Sequence, residues 1–223
     1  MTVDPMAQLF TPSINIASRL FFVGGALLVA LITLGWTTAM RSSLVSRVGY
    51  VRTQPVAFSH RTHVGTLAMD CRYCHSTVET SASAGLPSTK TCMGCHGTVL
   101  ASSPALAMVR ASYAEDRSIP WIRVHDLPDF VRFDHSIHVA KGVGCTTCHG
   151  PIGEMPRTVK GSTLDMAWCL ACHRHPEGSV RPLERVFDPA WIEPADQLVR
   201  GRELMRSLAI DPAPLEDCSL CHQ

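Results

Sequence analysis

The feature that most constrains this chain is the motif Cys-x-x-Cys-His, which occurs five times. All ten cysteines fall into these pairs, so no thiol is left over. Two thiols at this spacing can each add to one vinyl group of a haem, and the adjacent imidazole can then reach the iron as the proximal ligand. Structural zinc and disulfides both leave the histidine unexplained. The pattern therefore predicts five covalently bound haem c groups.

The motifs name the residues that would hold these haems. The predicted attachment residues are Cys71, Cys74, Cys92, Cys95, Cys145, Cys148, Cys169, Cys172, Cys218 and Cys221. The predicted proximal iron ligands are His75, His96, His149, His173 and His222. Only 6% of the residues are aromatic, so the porphyrin faces are expected to provide much of the apolar core. We therefore predict a mainly irregular and α-helical multihaem cytochrome c with a haem-dominated core and little or no sheet.

A run of 21 uncharged residues lies between Arg19 and Arg41. As a helix it would extend about 31 Å, against a hydrocarbon core of about 30 Å. The run is longer than the apolar part of a signal peptide and no clear A-x-A site follows it, so an uncleaved membrane anchor is predicted. Arginines after the run favour a cytoplasmic C-terminus. Because haem c is assembled outside the cytoplasmic membrane, we expect the opposite orientation, with the haem domain on the periplasmic side.

A set of histidines and cysteines recurs after about 75 residues. The segments FSHRTH, at 58–63, and FDHSIH, at 133–138, each precede two CxxCH motifs. This repeat predicts a duplicated two-haem module. Histidines at i and i+3 share a helix face, and an iron that has a proximal histidine needs only one more ligand. The two histidines of each segment are therefore expected to serve different irons and to bring two haems close together.

Six histidines remain for the distal positions of five irons. The predicted distal ligands are His60, His63, His125, His135 and His138. His175 remains an alternative, as do Met166 and Met205 if one iron has a methionine ligand. Two protein ligands on every iron would leave no open position for substrate, which favours an electron carrier over a reductase.

The predicted organisation runs in chain order. It comprises a cytoplasmic tail at 1–19, a transmembrane helix at 20–40, a linker at 41–56, two-haem modules at 57–120 and 121–176, and a C-terminal segment with the fifth haem at 177–223. The fifth motif lies outside the repeat, so its haem is expected to contact another protein. A helix is predicted at 194–208, with Leu198, Met205 and Leu208 on its packed side. The net charge of +1 gives no sign of nucleic-acid binding.

The stretches QPVAFSHRTHV, MDCRYCH, LPSTKTCMGCH, VRFDHSIHVAKGVGCTTCHG and MAWCLACHR, together with one N-terminal anchor, resemble the pentahaem cytochrome c subunit of alternative complex III. That complex is a membrane-bound quinol:electron acceptor oxidoreductase of some bacteria. The resemblance covers residues 20–223. It implies proximal ligands at the CxxCH histidines, distal ligands at the histidines of both FxHxxH segments, and no catalytic site in this chain. It also implies an iron–sulfur subunit, polytopic membrane subunits and a monohaem cytochrome c as partners.

Two other classes of function remain open at this point. A stand-alone, membrane-anchored multihaem quinol dehydrogenase of the tetrahaem type would oxidise quinol without partner subunits, although the repeat and the fifth motif do not match that type. A multihaem reductase would be expected to have an atypical attachment motif or an iron without a distal ligand. Neither feature is evident in the sequence.

Overall fold

The computed structural model describes residues 11–222. Residues 1–10 of the predicted cytoplasmic tail, and Gln223, lie outside the described residues. The chain divides into two units, Met1–Arg47 and Val48–Gln223. The first unit contains helix α1 (Pro12–Arg41) and the one-turn helix α2 (Ser43–Ser46).

Helix α1 extends beyond the predicted span of 20–40 at both ends. A proline in its first turn suits a helix start, because this position needs no backbone N–H donor. The hydroxyl groups of Thr33 and Thr38 donate to backbone carbonyls four residues earlier, at 2.8 and 2.7 Å. These bonds satisfy polar groups within the apolar run. Among the described helices α1 alone is long and apolar enough to cross a membrane, and its length and composition suit an anchor or a signal sequence.

The second unit consists of short helices joined by turns. The helices are α3 (Cys71–Cys74), α4 (Thr89–His96), α5 (Ala107–Ala114), α6 (His135–Ala140), α7 (Cys145–His149), α8 (Met166–Arg174), α9 (Gln197–Ser207) and α10 (Cys218–Cys221). A π-helical turn covers Arg61–Thr66, and 3₁₀ turns cover Pro104–Leu106, Ile152–Glu154, Pro176–Gly178, Leu183–Arg185 and Ala213–Glu216. Residues 11–222 contain isolated β-bridges and no strand. The prediction of a mainly helical and irregular chain is therefore confirmed.

Aspartate caps begin four of the helices that carry motif residues. In each, the carboxylate accepts a backbone N–H from the first turn at 2.8 to 2.9 Å. The capping residues are Asp70 for α3, Asp134 for α6, Asp165 for α8 and Asp217 for α10. Such short helices are unstable by themselves, and a cap contributes about 1 kcal/mol. The caps therefore help to fix where each of these helices begins.

The protein core of the second unit is small. The buried hydrophobic side chains in the described part are Val56, Val78, Val109, Ile119, Met155, Val180 and Val186. One cluster joins Val56, Val109 and Ile119, with the second CxxCH motif packed against it through Cys92. This cluster fixes α4 against α5 and so positions the second motif.

Helix α9 differs from its prediction in bounds and in packed face. It begins at Gln197, and Leu198, predicted to pack, is 55% exposed. The buried residues of α9 are Gln197 and Gly201. Gln197 Nε2 donates to the carbonyl oxygens of Glu177 and Val180, at 2.9 and 2.7 Å. The prediction for Leu198 is wrong because α9 approaches the backbone of the Pro176–Gly178 turn too closely for a large side chain.

Candidate haem-ligand sites

The two FxHxxH segments hold their histidines in the same way. In both, the phenylalanine ring meets the first histidine edge-on, with ring centroids 4.9 and 4.8 Å apart. In both, it stacks on the second histidine, with centroids 4.4 and 4.6 Å apart. The phenylalanine of each motif therefore has a structural role, because it fixes the orientation of two imidazole rings.

Backbone carbonyls fix one ring nitrogen in six of the predicted ligands. The Nδ1–carbonyl oxygen distances are 2.8 Å for His63–Ser59, 2.8 Å for His135–Ala82, 2.6 Å for His138–Asp134, 2.7 Å for His75–Gly85, 3.0 Å for His96–Val99 and 2.8 Å for His173–Leu215. A carbonyl oxygen only accepts, so Nδ1 carries the proton in each ring. The Nε2 lone pair is then available to bind a metal.

Three pairs of histidines have the spacing expected of two ligands on one iron. Each pair joins an FxHxxH histidine to a CxxCH histidine, and the centroid distances are 6.1 Å for His63–His96, 6.3 Å for His135–His149 and 6.2 Å for His138–His173. Two imidazole nitrogens about 2.0 Å from a metal on opposite sides, with ring centroids about 1.1 Å behind them, give roughly 6.2 Å. The residues present therefore fit a haem iron with two histidine ligands.

The first FxHxxH histidine, His60, lies near the first CxxCH histidine. Burial, followed by the nearby His75 ring, lowers the pKa of His60 to about 4. His60 is therefore neutral at neutral pH, as a metal ligand must be. Its Nδ1 lies 3.0 Å from the hydroxyl oxygen of Thr158. His60 thus lies near His75, and His135 likewise lies near His149.

His125 lies beside His149, the histidine of the third CxxCH motif. Its Nε2 is 3.2 Å from Nδ1 of His149, and the two ring centroids are 4.3 Å apart. That contact is on the nitrogen of His149 opposite the one that would bind iron. His175, the alternative ligand, is 77% exposed, with its Nδ1 3.6 Å from a carboxylate oxygen of Glu177. Met166, another alternative, is also largely exposed.

The last CxxCH motif contacts residues just before the second FxHxxH segment. The ring of His222 stacks on Phe130 with centroids 5.9 Å apart. The N–H of Arg132 donates to the carbonyl oxygen of Cys221 at 2.7 Å. These contacts place the predicted fifth haem ligand against residues 130–132.

The first and third CxxCH motifs lie side by side. The thiols of Cys71 and Cys145 lie close together, and this contact lowers the pKa of Cys71. The Cys71 thiol also lies 3.8 Å from the carbonyl oxygen of Phe187, and the N–H of Cys145 donates to that of Val186 at 3.4 Å. One short segment, residues 186–187, therefore touches both motifs.

Other motifs are neighbours through their thiols as well. Burial, and after it a thiol of another motif, raises the pKa of one cysteine in each of three pairs: Cys74 beside Cys92, Cys148 beside Cys172, and Cys169 beside Cys221. No two of the ten cysteines are joined by a disulfide. Among the residues described, no group of three or more His, Cys, Asp or Glu side chains is arranged to hold a metal ion by itself.

Each FxHxxH segment forms a backbone hydrogen bond with a residue that follows a CxxCH motif distant in the sequence. The N–H of Arg61 donates to the carbonyl oxygen of Met155, at 2.9 Å, which follows the third CxxCH motif. The N–H of His135 donates to the carbonyl oxygen of Ala82, at 3.1 Å, which follows the first. Each FxHxxH segment is therefore positioned partly by a residue that follows a CxxCH motif distant in the sequence.

A buried arginine, which the sequence interpretation missed, braces the third motif. Nη2 of Arg181 donates to the hydroxyl groups of Thr146 and Thr147, both at 3.1 Å, and its guanidinium lies over the ring of Trp191. Burial lowers the pKa of Arg181. A residue more than 30 positions from the motif it contacts leaves no local signal in the sequence. The aspartate caps were also missed, although Asp70 and Asp217 directly precede a CxxCH motif, where an aspartate is a recognisable helix start signal.

Comparison with known protein families finds a match that covers the candidate haem-ligand residues. The family model described as "Cytochrome c7 and related cytochrome c" matches residues 56–113 and 131–223. The chain belongs to this family. Membership in the cytochrome c7 family implies covalently bound haem c, which confirms the cofactor predicted from the CxxCH motifs. The matched ranges include both FxHxxH segments and all five CxxCH motifs.

One similar protein is the "Menaquinone reductase, multiheme cytochrome c subunit" of Nitratidesulfovibrio vulgaris (strain Hildenborough). The two proteins are 41% identical over 130 residues, which cover 58% of this chain and 57% of that subunit. The chain therefore matches little more than half the length of this relative. The similarity confirms a multihaem cytochrome c related to a subunit of a quinone-linked enzyme.

Proposed function

We propose that this chain carries five haem c groups and relays electrons within a quinol:electron acceptor oxidoreductase of the alternative complex III type. The observation that carries the proposal is the set of three histidine pairs with centroids 6.1 to 6.3 Å apart. Haem supplies reversible one-electron transfer when bound. An iron held by histidine on both faces has no position for substrate, so these residues suit electron transfer without bond chemistry.

The proposed roles of the side chains follow from their geometry. The ten CxxCH cysteines attach the haems, and the five CxxCH histidines are proximal ligands. In each of two two-haem modules, the first FxHxxH histidine faces the first motif and the second faces the second motif. The Nδ1 bonds to backbone carbonyls hold the rings with Nε2 toward the metal. The porphyrin faces would complete the small protein core.

The neighbouring thiols support an order for the relay. The second motif lies beside the first, the first beside the third, the third beside the fourth, and the fourth beside the fifth. In the proposed chain of haems, the site at His96 and the site at His222 are therefore the two ends. Electrons would enter at one end from one partner and leave at the other end to another. This agrees with the expectation that the His222 site contacts another protein.

We propose that α1 anchors the chain in the membrane, with the haem unit on the periplasmic side. The apolar, exposed surface of α1 supports the anchor, and the extracytoplasmic assembly of haem c supports the orientation. The proposed partners are an iron–sulfur subunit, polytopic membrane subunits and a monohaem cytochrome c.

A second candidate function is electron delivery to quinone. The similar protein is a menaquinone reductase subunit, which supports this direction of flow. The same row of ligand sites would serve either direction, because the driving force is set by the partners at the two ends.

The test uses the full chain purified in mild detergent with its bound subunits. Addition of quinol without oxygen should reduce the haems of the assembled complex, followed by haem absorbance, and should not reduce those of the chain purified alone. If pre-reduced complex instead passes electrons to menaquinone and quinol does not reduce it, quinone reduction is the function. A lone chain that oxidises quinol at the rate of the complex would contradict both and support a stand-alone dehydrogenase.

A further inference from the structure

One proximal histidine differs from three others in the partner of its Nδ1. His75, His96 and His173 place this nitrogen within 3.0 Å of backbone carbonyl oxygens. His149 places it 3.2 Å from Nε2 of His125. The neighbour is thus an imidazole rather than an amide group.

We propose that His125 is a positioning residue that accepts the Nδ1–H of His149 and tunes the haem of the third motif. The inference rests on the proposed function in one respect, the ligation of iron by His149. His149 has its ring paired with His135 at 6.3 Å. A histidine that binds metal through Nε2 carries its proton on Nδ1, so Nε2 of His125 must be the acceptor.

The loop that carries His125 is held in place independently of this contact. The side-chain amide of Gln54 pairs with the backbone of Ile122, with Nε2 donating at 2.7 Å and Oε1 accepting at 2.9 Å. Arg123 and Asp126 form an ion pair at 3.1 Å on either side of His125. The acceptor is therefore presented by an ordered segment, as a tuning residue requires.

The contact has an electronic consequence. An acceptor on Nδ1 makes a ligating imidazole more basic and fixes its ring orientation. A more basic ligand stabilises the oxidised iron, so the third-motif haem should have a lower midpoint potential with His125 than without it. Its potential should thereby differ from those of haems whose ligands donate to carbonyl oxygens.

The test compares His125→Leu, which removes the acceptor, with His125→Gln, which can retain one. We expect neither variant of the full chain to gain a high-spin haem, relative to wild type, in electron paramagnetic resonance spectra. In His125→Leu one midpoint potential should rise in a spectroelectrochemical titration while the others remain unchanged. His125→Gln should reverse much of that rise. A merely structural role would not produce this pattern in a single haem.

Two results would overturn the inference. A high-spin haem in both His125 variants would make His125 a distal iron ligand, as the sequence interpretation predicts. Unchanged potentials in both would show that the contact does not tune a haem. His135→Ala is the control for ligation, since it should create one high-spin haem. If it does not, the proposed ligand assignment fails rather than the role of His125.

Discussion

Replacement of Gly201 by alanine should destabilise the haem unit because α9 packs directly on backbone. A Cβ at this position would overlap the carbonyl group of Glu177. Relief of the overlap moves α9 outward and breaks both bonds from Gln197 Nε2, at 2.9 and 2.7 Å, each worth about 1 kcal/mol. Overpacking costs about 1–3 kcal/mol more, and the higher helix propensity of alanine offsets about 1 kcal/mol. The expected net loss is therefore about 2–4 kcal/mol.

The assay is thermal unfolding of the haem-loaded full chain, followed by far-ultraviolet circular dichroism. For a domain of this size, the expected loss lowers Tm by roughly 5–15 °C. Gly178→Ala is a matched control on the opposite side of the contact, since nothing lies within 4 Å of a Cβ there. The control should change stability by less than about 0.5 kcal/mol. If Gly201→Ala melts with the control, close packing of α9 on the turn is not a source of stability.

Three further outcomes are expected. Intact mass and a pyridine haemochrome assay should give five covalent haems per matured chain, and a smaller number would contradict the ligand assignment. His63→Ala should leave one haem high-spin by electron paramagnetic resonance, whereas alanine at the exposed His175 should not, and identical spectra would remove His63 from the ligand set. Asp165→Ala should cost about 1 kcal/mol in a thermal melt because the bond to the N–H of Trp168 is lost, whereas Asp165→Asn should preserve most of the stability. Equal melting of both Asp165 variants with wild type would exclude a capping role.

The sequence was most informative where function depends on residues close together in the chain. The sequence predicts a mainly irregular and α-helical chain, and in the structure the CxxCH motifs lie on short helices, for example α3 and α10. The apolar run predicted a long N-terminal helix, and α1 confirms it. In each case a local chemical constraint, either haem attachment or unbroken apolar character, specifies the element.

Contacts between distant residues were not predictable in this way. The packed face of α9 was assigned from its large apolar side chains, but a glycine and a glutamine form the contact because the partner is backbone. The neighbour of His125 was likewise invisible, since a pairing with His149 across 24 residues leaves no periodic pattern. The π-helical turn Arg61–Thr66 also differs from the regular helical turn expected for the first FxHxxH segment.

The backbone hydrogen bonds that join each FxHxxH segment to a residue distant in the sequence affect the spacing of the candidate haem sites. If only a loop joined the two parts of the chain that carry these segments, the distance between the parts would vary as the loop moves. Here Met155, which follows the third CxxCH motif, accepts a hydrogen bond from the N–H of Arg61. Ala82, which follows the first CxxCH motif, accepts one from the N–H of His135. These two hydrogen bonds, rather than the connecting loop, therefore set the distance between the two parts. In the proposed relay, an electron that passes between the two parts would therefore cross the same distance in every conformation of the loop.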